Sequence, residues 1–538
     1  MRPASWLFLA LILLTVARMI LGAYTELSGD EAYYFLWQER LDWSYYSKGP
    51  GVAVAIWLST NLFGDTELGV RVLSPLFGLG TSFLLYVLAR QLLSTRVAIG
   101  TVVMLNLTPI FNAGSVVLTI DPLMIFFWVG AMITTWKAVH DHKMKVSGWW
   151  LLTGLLIGLG FLCKYTSLLQ VVSIILFLAL WPKGRVQFRQ PGFYAMIGVI
   201  LASMTPVLIW NAQNCWITVD HLLKHLGIDL HLCAAAGQTV AEAPEEGGGF
   251  KLGPDIFVYI GYHLAVYSPL IFAGLFVATV TACRRFRATA PEMFLSCFSL
   301  PIILGYGLIS VFKMGEVNWT APGFFGVGIL LIKYFDDWKP RRFSKRFLAT
   351  AAAGLGALMT ILVVNSDIVR ATGVPWPYEV DPGGRLRGWN AVADRVDEQA
   401  RQLNAESGET PFLIANRYQV SAGAAFYLPA DLPIFRPTDE HPVIHMVATK
   451  DGSIHNQFAF WPGYEDEEFD GRNALFISDQ EGRDTPPSQI QASFESWALI
   501  DPFEIERRGD HLHTWKIFAC YGYKNPDELP RVRQPEPE

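Results

Sequence analysis

Charge is scarce in this sequence. Asp, Glu, Lys and Arg make up 17% of its 538 residues, where a soluble globular protein carries about 25%. Apolar residues reach 52% and the mean hydropathy is +0.30. So much apolar side chain excludes a disordered chain, and the length argues against a single soluble domain. Cysteine is also sparse: six residues, with no CxxC or other zinc-like spacing. Cys215 and Cys233 fall in one expected outer loop, where a disulfide and two free thiols both remain open. There is no tandem repeat.

Lys and Arg do not run in excess where nucleic acid would need them. Residues 1–364 carry a net +7 and residues 365–538 a net −13. A basic apolar part followed by an acidic part points to two domains in two environments, and the acidic part argues against nucleic acid as a partner.

Long apolar runs fill the first part. A helix crossing a bilayer needs about 20 mostly apolar residues. Eleven segments qualify as candidates: 4–22, 67–89, 97–115, 119–136, 149–163, 165–182, 192–210, 255–282, 293–312, 319–333 and 347–364. The first is read as an uncleaved helix rather than a signal peptide, because ten more follow. With the N-terminus inside, Arg90, Arg96, Lys137, Lys143, Lys145, Arg284, Arg285, Arg341 and Arg342 all fall in inner loops. The outer loops hold few cations, which is the expected bias. An odd number of spans then places the acidic part outside.

That acidic part, 365–538, reads as a soluble α/β domain. A helix is expected from about 388 to 403 and another over Ser421–Tyr427. Strands are expected at Phe412–Ala415, Ala474–Ile477, Ala498–Ile505 and His513–Ala519. The fold class is thus a polytopic α-helical membrane protein, about eleven spans over 1–364, with a C-terminal soluble α/β domain.

Residues with chemical potential gather on the outer side. Asp30-Glu31 follows the first span, inside Ser28-Gly29-Asp30-Glu31-Ala32-Tyr33-Tyr34. Paired carboxylates at a membrane surface serve as a base or hold a metal. Ser28 or Asp30 capping an interfacial helix explains the same pattern. Lys48, in Tyr45-Tyr46-Ser47-Lys48-Gly49-Pro50-Gly51, is either a phosphate-binding cation or a snorkelling lysine in an aromatic belt. Asp121 lies between two apolar spans in Leu118-Thr119-Ile120-Asp121-Pro122. Ionisable residues at membrane depth are costly and usually functional, and Asp121 also suits a helix cap with Pro122 in the first turn. Lys164, in an apolar turn, wants an anion: a lipid head group or a substrate phosphate.

Weaker signals follow. His221 and His225 share one helical face, and with Asp30 they are weak metal candidates. Tyr46, His225, Glu316 and Asn318 are candidates for a substrate rim. The loop at 211–254, with Glu245-Glu246-Gly247-Gly248-Gly249, reads as a lid. His441, His445 and His455 are too loosely spaced for zinc.

In order, these motifs resemble the GT-C glycosyltransferases: Asp-Glu after the first span, Tyr-Tyr-x-Lys-x-Pro, Leu-Thr-x-Asp, Phe-Leu-x-Lys-Tyr. They are most similar to the bacterial branch related to protein O-mannosyltransferases and to the ArnT-like aminoarabinose transferases acting on lipid A. Pro206–Asn211, Glu316–Pro322, Gly388-Trp389, Asn416-Arg417-Tyr418-Gln419 and Ala425–Pro429 also resemble that branch, so the likeness spans most of the chain. It implies an inverting transfer, dependent on a divalent metal, from a polyprenyl-phosphate-linked sugar to a glycan, lipid or protein hydroxyl. It also implies an inner-membrane location with a periplasmic site. Asp30, with Glu31 beside it, and Asp121 match the family's acidic positions; Lys48 and Lys164 match its donor-phosphate cations. Two departures stand out. ArnT-like members carry Glu, tied to metal binding, where this chain has Ser47, and two prolines where it has Gly49-Pro50. The competing readings are a lipid-linked sugar flippase and a non-catalytic envelope-assembly protein. Both fit the membrane character; the charged residues gathered at one interface and the large outer part favour the enzyme.

Overall fold

The computed structural model describes residues 3–141, 147–225, 255–311, 315–340, 344–374, 378, 381–447, 454–507 and 509–525. The chain divides into two compact units. One comprises Met1–Ala23, Gly49–Val207 and Gly247–Val374; the other comprises Tyr24–Lys48, Leu208–Glu246 and Pro375–Glu538.

The first unit is helical. Among the described residues six helices are long and apolar enough to cross a membrane: Pro3–Ala23, Glu67–Leu92, Ile120–His140, Pro191–Gln213, Ala290–Ile309 and Lys345–Val364. A seventh span results if Ile256–Tyr267 and Pro269–Arg284, bent by 113°, count as one. Four shorter apolar helices, Gly51–Phe63, Thr95–Leu105, Gly148–Cys163 and Tyr165–Leu180, fall below that length. The chain is therefore a helical membrane protein with six or seven full-length spans among the described residues. Two expected segments are broken. The stretch 97–115 ends its first helix at Leu105 and resumes at Pro109, because proline lacks the N–H that would continue the ladder. Pro269 marks the 113° bend for the same reason. The expected outer loop 23–66 contains helices, Gly29–Glu39 and Gly51–Phe63; the second is apolar but only 13 residues long.

Close helix packing rests on small residues. A Cβ at Gly49 would lie 2.4 Å from the Leu162 carbonyl oxygen, and one at Gly51 would lie 2.6 Å from Cys163 Sγ. This close backbone approach leaves no room for a side chain at either position.

The second unit holds a five-stranded mixed sheet. Its strands are β1 Phe412–Ala415, β2 His445–Met446, β3 Ala474–Ser478, β4 Phe494–Arg507 and β5 Asp510–Tyr523, ordered β2-β1-β3-β5-β4. β1 pairs in parallel with β2 and β3, while β5 runs antiparallel to β3 and β4. Side chains alternate across the sheet. Leu413, Leu475 and Ile517 meet Trp389, Val392 and Val396 of the helix Trp389–Ser407 on one face. Phe412, Phe476 and Phe518 meet Tyr464, Phe469 and Ile490 on the other. Glycines with positive φ, Gly388 (96°) and Gly408 (69°), bound that helix. The helix and four of the strands were legible in the sequence, though β4 and β5 run longer than expected. The two-residue β2 was not.

Candidate active site

In the helical unit, chemistry centres on Asp121. Thr119, not Asp121, caps the helix Ile120–His140: its hydroxyl accepts from the Asp121 N–H at 3.4 Å. This corrects the expectation that Asp121 caps, and it leaves the carboxylate available to partners elsewhere in the unit. Lys164 Nζ donates to Oδ1 at 2.6 Å and Asn318 Nδ2 donates to Oδ2 at 3.0 Å. The two charged side chains are only 10% and 16% exposed, so the pair is mostly desolvated and costly to break. The sequence separated these residues by 43 and 197 positions. Glu316, two residues before Asn318, is exposed.

A cavity of about 320 Å³ opens beside this cluster. Asp121, Asn318, Thr119 and Tyr267 line one part of it, while Phe111, Phe324 and other apolar groups line the rest. The Tyr267 hydroxyl and Asn318 Oδ1 are buried with no hydrogen-bond partner among the described residues. His263, one turn before Tyr267, bonds through Nε2 to Thr320 Oγ1 at 2.9 Å and so ties the turn carrying Asn318 to the helix Asp255–Tyr267. Neither Tyr267 nor His263 was singled out from the sequence, because each sits in an apolar run with no motif around it.

In the other unit, Ser28 caps the helix Gly29–Glu39 in a reciprocal box. Its hydroxyl accepts from the Glu31 N–H at 3.2 Å, and the Glu31 carboxylate accepts from the Ser28 N–H at 2.9 Å. Glu31 is fully buried. Its catalytic expectation gives way to this structural one, and the capping alternative holds for Ser28 rather than Asp30. Asp30 is exposed in the same first turn. Its Oδ1 accepts from the Tyr418 hydroxyl at 3.1 Å. Burial, then the charge of Asp30 and the bond to it, push the Tyr418 phenol well above its usual range, so it stays a donor. Tyr418 belonged to a recognised motif but had been given no role.

The remaining expected residues divide. Tyr46 is buried: its N–H donates to Gln457 Oε1 at 2.7 Å and its ring packs 4.6 Å from that of His221. A core position of this kind contradicts the rim role. Lys48 is half-buried, and its carbonyl accepts from the Tyr45 N–H at 3.0 Å, closing a tight turn. The side chain of His225, together with Cys233 and the Gly-rich stretch of the expected lid, lies outside the described residues. Of the weak metal candidates, Asp30 is exposed and His221 packs against Tyr46, and no group of three His, Cys, Asp or Glu converges among the described residues.

The helical unit thus combines several helices long enough to cross a membrane with a buried carboxylate–lysine pair beside a mostly apolar cavity. Residues 47–210 match the family described as dolichyl-phosphate-mannose-protein mannosyltransferase, a stretch that includes Lys48, Asp121 and Lys164. The chain is 26% identical over 335 residues to the lipid A galacturonosyltransferase RgtD of Rhizobium johnstonii, covering 62% of this chain and 66% of that one. It is 22% identical over 378 residues to an undecaprenyl phosphate-4-amino-4-deoxy-L-arabinose arabinosyl transferase of Proteus mirabilis, covering 66% and 62%. The chain thus spans just under two-thirds of the length of these relatives. Its fold is shared with ArnT from Cupriavidus metallidurans bound to undecaprenyl phosphate, with TM-score 0.61, 16% identity and coverage of 99% and 100%. The apo form of that protein gives TM-score 0.59, 14% identity and coverage of 96% and 98%. The resemblance to GT-C glycosyltransferases read from the sequence is borne out by these matches.

Proposed function

We propose that the protein is a multi-pass glycosyltransferase of the inner membrane. It moves a sugar from a polyprenyl-phosphate donor to a hydroxyl of an extracytoplasmic acceptor, with lipid A the leading acceptor class. The observation that carries this reading is the Asp121–Lys164–Asn318 cluster beside an apolar cavity, inside a fold shared with a protein crystallised with undecaprenyl phosphate. The shorter apolar helices complete a count of about eleven spans over residues 1–364. The acidic segment 365–538 is the soluble periplasmic domain.

Each residue then has a task. The cavity receives part of the prenyl chain, since ligand pockets are mostly apolar with a few placed polar groups. Lys164 stabilises negative charge on the phosphate as it leaves, the kind of preset electrostatics that contributes most to rate; for Lys48 the same role rests on its motif alone. Asp121 holds Lys164 in place, and Asn318 fixes Asp121. Asp30 accepts the proton of the attacking hydroxyl. The acceptor oxygen bonds to the anomeric carbon from the face opposite the phosphate. The carbon–oxygen bond to the phosphate breaks, configuration inverts, and polyprenyl phosphate departs with the bonding electron pair.

The test is transfer from undecaprenyl phosphate-4-amino-4-deoxy-L-arabinose, or from the galacturonic acid counterpart, to lipid A in detergent. Wild-type protein transfers sugar, whereas Asp30→Asn at matched folding falls by about a thousandfold or more, as loss of a general base dictates. Equal label with Asp30→Asn would defeat the assignment of Asp30. No transfer to any acceptor fraction from either donor would defeat the enzyme reading for these sugars.

A further inference from the structure

The α/β body supplies more than a platform to the acid-bearing helix. Tyr418 is the first residue of the helix Tyr418–Tyr427, which follows β1 directly. Three features fix its phenol in place. Its ring lies 4.4 Å from that of Tyr33, on the same helix as Asp30. Tyr33 is locked in turn: its hydroxyl accepts from the Gln457 N–H at 2.6 Å, and its ring stacks on Phe458 at 5.9 Å with a 7° tilt. Gly29, adjacent to Asp30, admits the next residue of the Tyr418 helix; a Cβ there would lie 2.6 Å from Gln419 Cβ and 3.1 Å from its Cα. Beyond the cap, the Leu27 N–H donates to the Tyr427 hydroxyl at 2.7 Å, and Phe35 packs edge-on to Phe426 at 4.9 Å. The two helices are therefore held at several points, and the phenol–carboxylate bond lies among them.

We propose that Tyr418 is the positioning residue for Asp30. Its phenol holds Oδ1, which stops the exposed carboxylate from rotating and leaves Oδ2 to meet the acceptor hydroxyl. An exposed Asp in a first helical turn otherwise samples several rotamers. A donor fixed by packing removes that freedom, and a fixed base is what efficient proton transfer requires. On this view the C-terminal body is part of the catalytic centre, because it brings the residue that aims the base. The inference rests on the proposed role of Asp30.

Tyr418→Phe is the decisive variant, because it keeps the ring against Tyr33 and removes only the hydroxyl. In the full-length protein, kcat/KM falls by about ten- to a hundredfold, the loss of one charge-assisted hydrogen bond, while the donor KM holds. A purely structural tyrosine would lower the melting temperature and cost activity only in step with it. Wild-type kcat/KM, a loss carried by the donor KM rather than kcat, or losses of activity that only track melting temperature would overturn the proposal. A double-mutant cycle of Tyr418→Phe and Asp30→Asn in melting temperature separates this from the function itself. If wild type transfers no sugar, the enzyme reading falls, yet non-additive melting shifts still support the Tyr418–Asp30 pairing and additive shifts overturn it.

Discussion

Asp121 and Asp30 begin from the same local device. Each is the second residue of a helix, two positions after a hydroxyl cap: Thr119-Ile120-Asp121 in the helical unit and Ser28-Gly29-Asp30 in the other. Backbone geometry therefore gives each carboxylate the same starting direction and the same favourable helix dipole. What differs is the company each keeps. Asp121 is mostly buried between an ammonium and an amide, whereas Asp30 is exposed and meets one phenol. A carboxylate paired with a buried cation is suited to holding that cation in place. One that is exposed and meets only a neutral donor stays open to groups from outside the chain. The comparison teaches that the helix cap presents an acid and the tertiary partner assigns its work.

The contrast breaks most sharply at Lys164. Replacing it with Met strands the Asp121 carboxylate in a desolvated site and costs about 3–5 kcal/mol. The expected readouts are a lower melting temperature in detergent and poor recovery. The pair Lys164→Met with Asp121→Asn restores most of that stability without restoring transfer. Full stability of Lys164→Met alone would show that solvent or Asn318 satisfies Asp121 without the lysine.

A smaller effect separates the α/β core from the paired polar groups of the helical unit. His445 on β2 is buried, and neither ring nitrogen has a hydrogen-bond partner among the described residues. Burial, then the nearby His441 and Arg40, push it down to about 3 from the usual 6.5. The sign follows from linkage. Below pH 6.5 the unfolded chain takes up a proton that the folded chain refuses, so stability falls as the pH drops from 6.5 toward 3. Between pH 7.5 and 5 the loss is about 2 kcal/mol. His445→Leu narrows this acid sensitivity in melting curves; unchanged pH dependence would mean that water reaches the imidazole.

The smallest effect tests the shared device itself. Ser28→Ala opens a reciprocal capping box and costs about 1 kcal/mol. Thr119→Ala removes a single longer bond of 3.4 Å and costs less. Equal losses, read from melting temperatures, would mean that the box around Glu31 adds nothing beyond a lone cap.

Much of this was readable in the residues. The apolar runs, the acidic turn, Lys164 and Asp121, and the strands Phe412–Ala415 and Ala474–Ile477 all announced themselves by composition and period. Tyr46 misled because an aromatic beside a lysine reads alike as interface or core; only its bond to Gln457, 411 positions away, decided the matter. Glu31 misled because adjacent acids look like a catalytic pair, whereas the spacing from Ser28 also spells a capping box. Tyr267 and His263 carried no signal, since a polar tip inside an apolar helix has no period of its own.

By itself the sequence determined a membrane chain, the helix caps and the order of motifs, because hydropathy and capping act over a few neighbouring residues. Which carboxylate meets Lys164, which phenol meets Asp30 and where the cavity opens were decided only by tertiary structure. Those contacts join residues 43 and 388 positions apart, and no local propensity encodes a distance closed by folding.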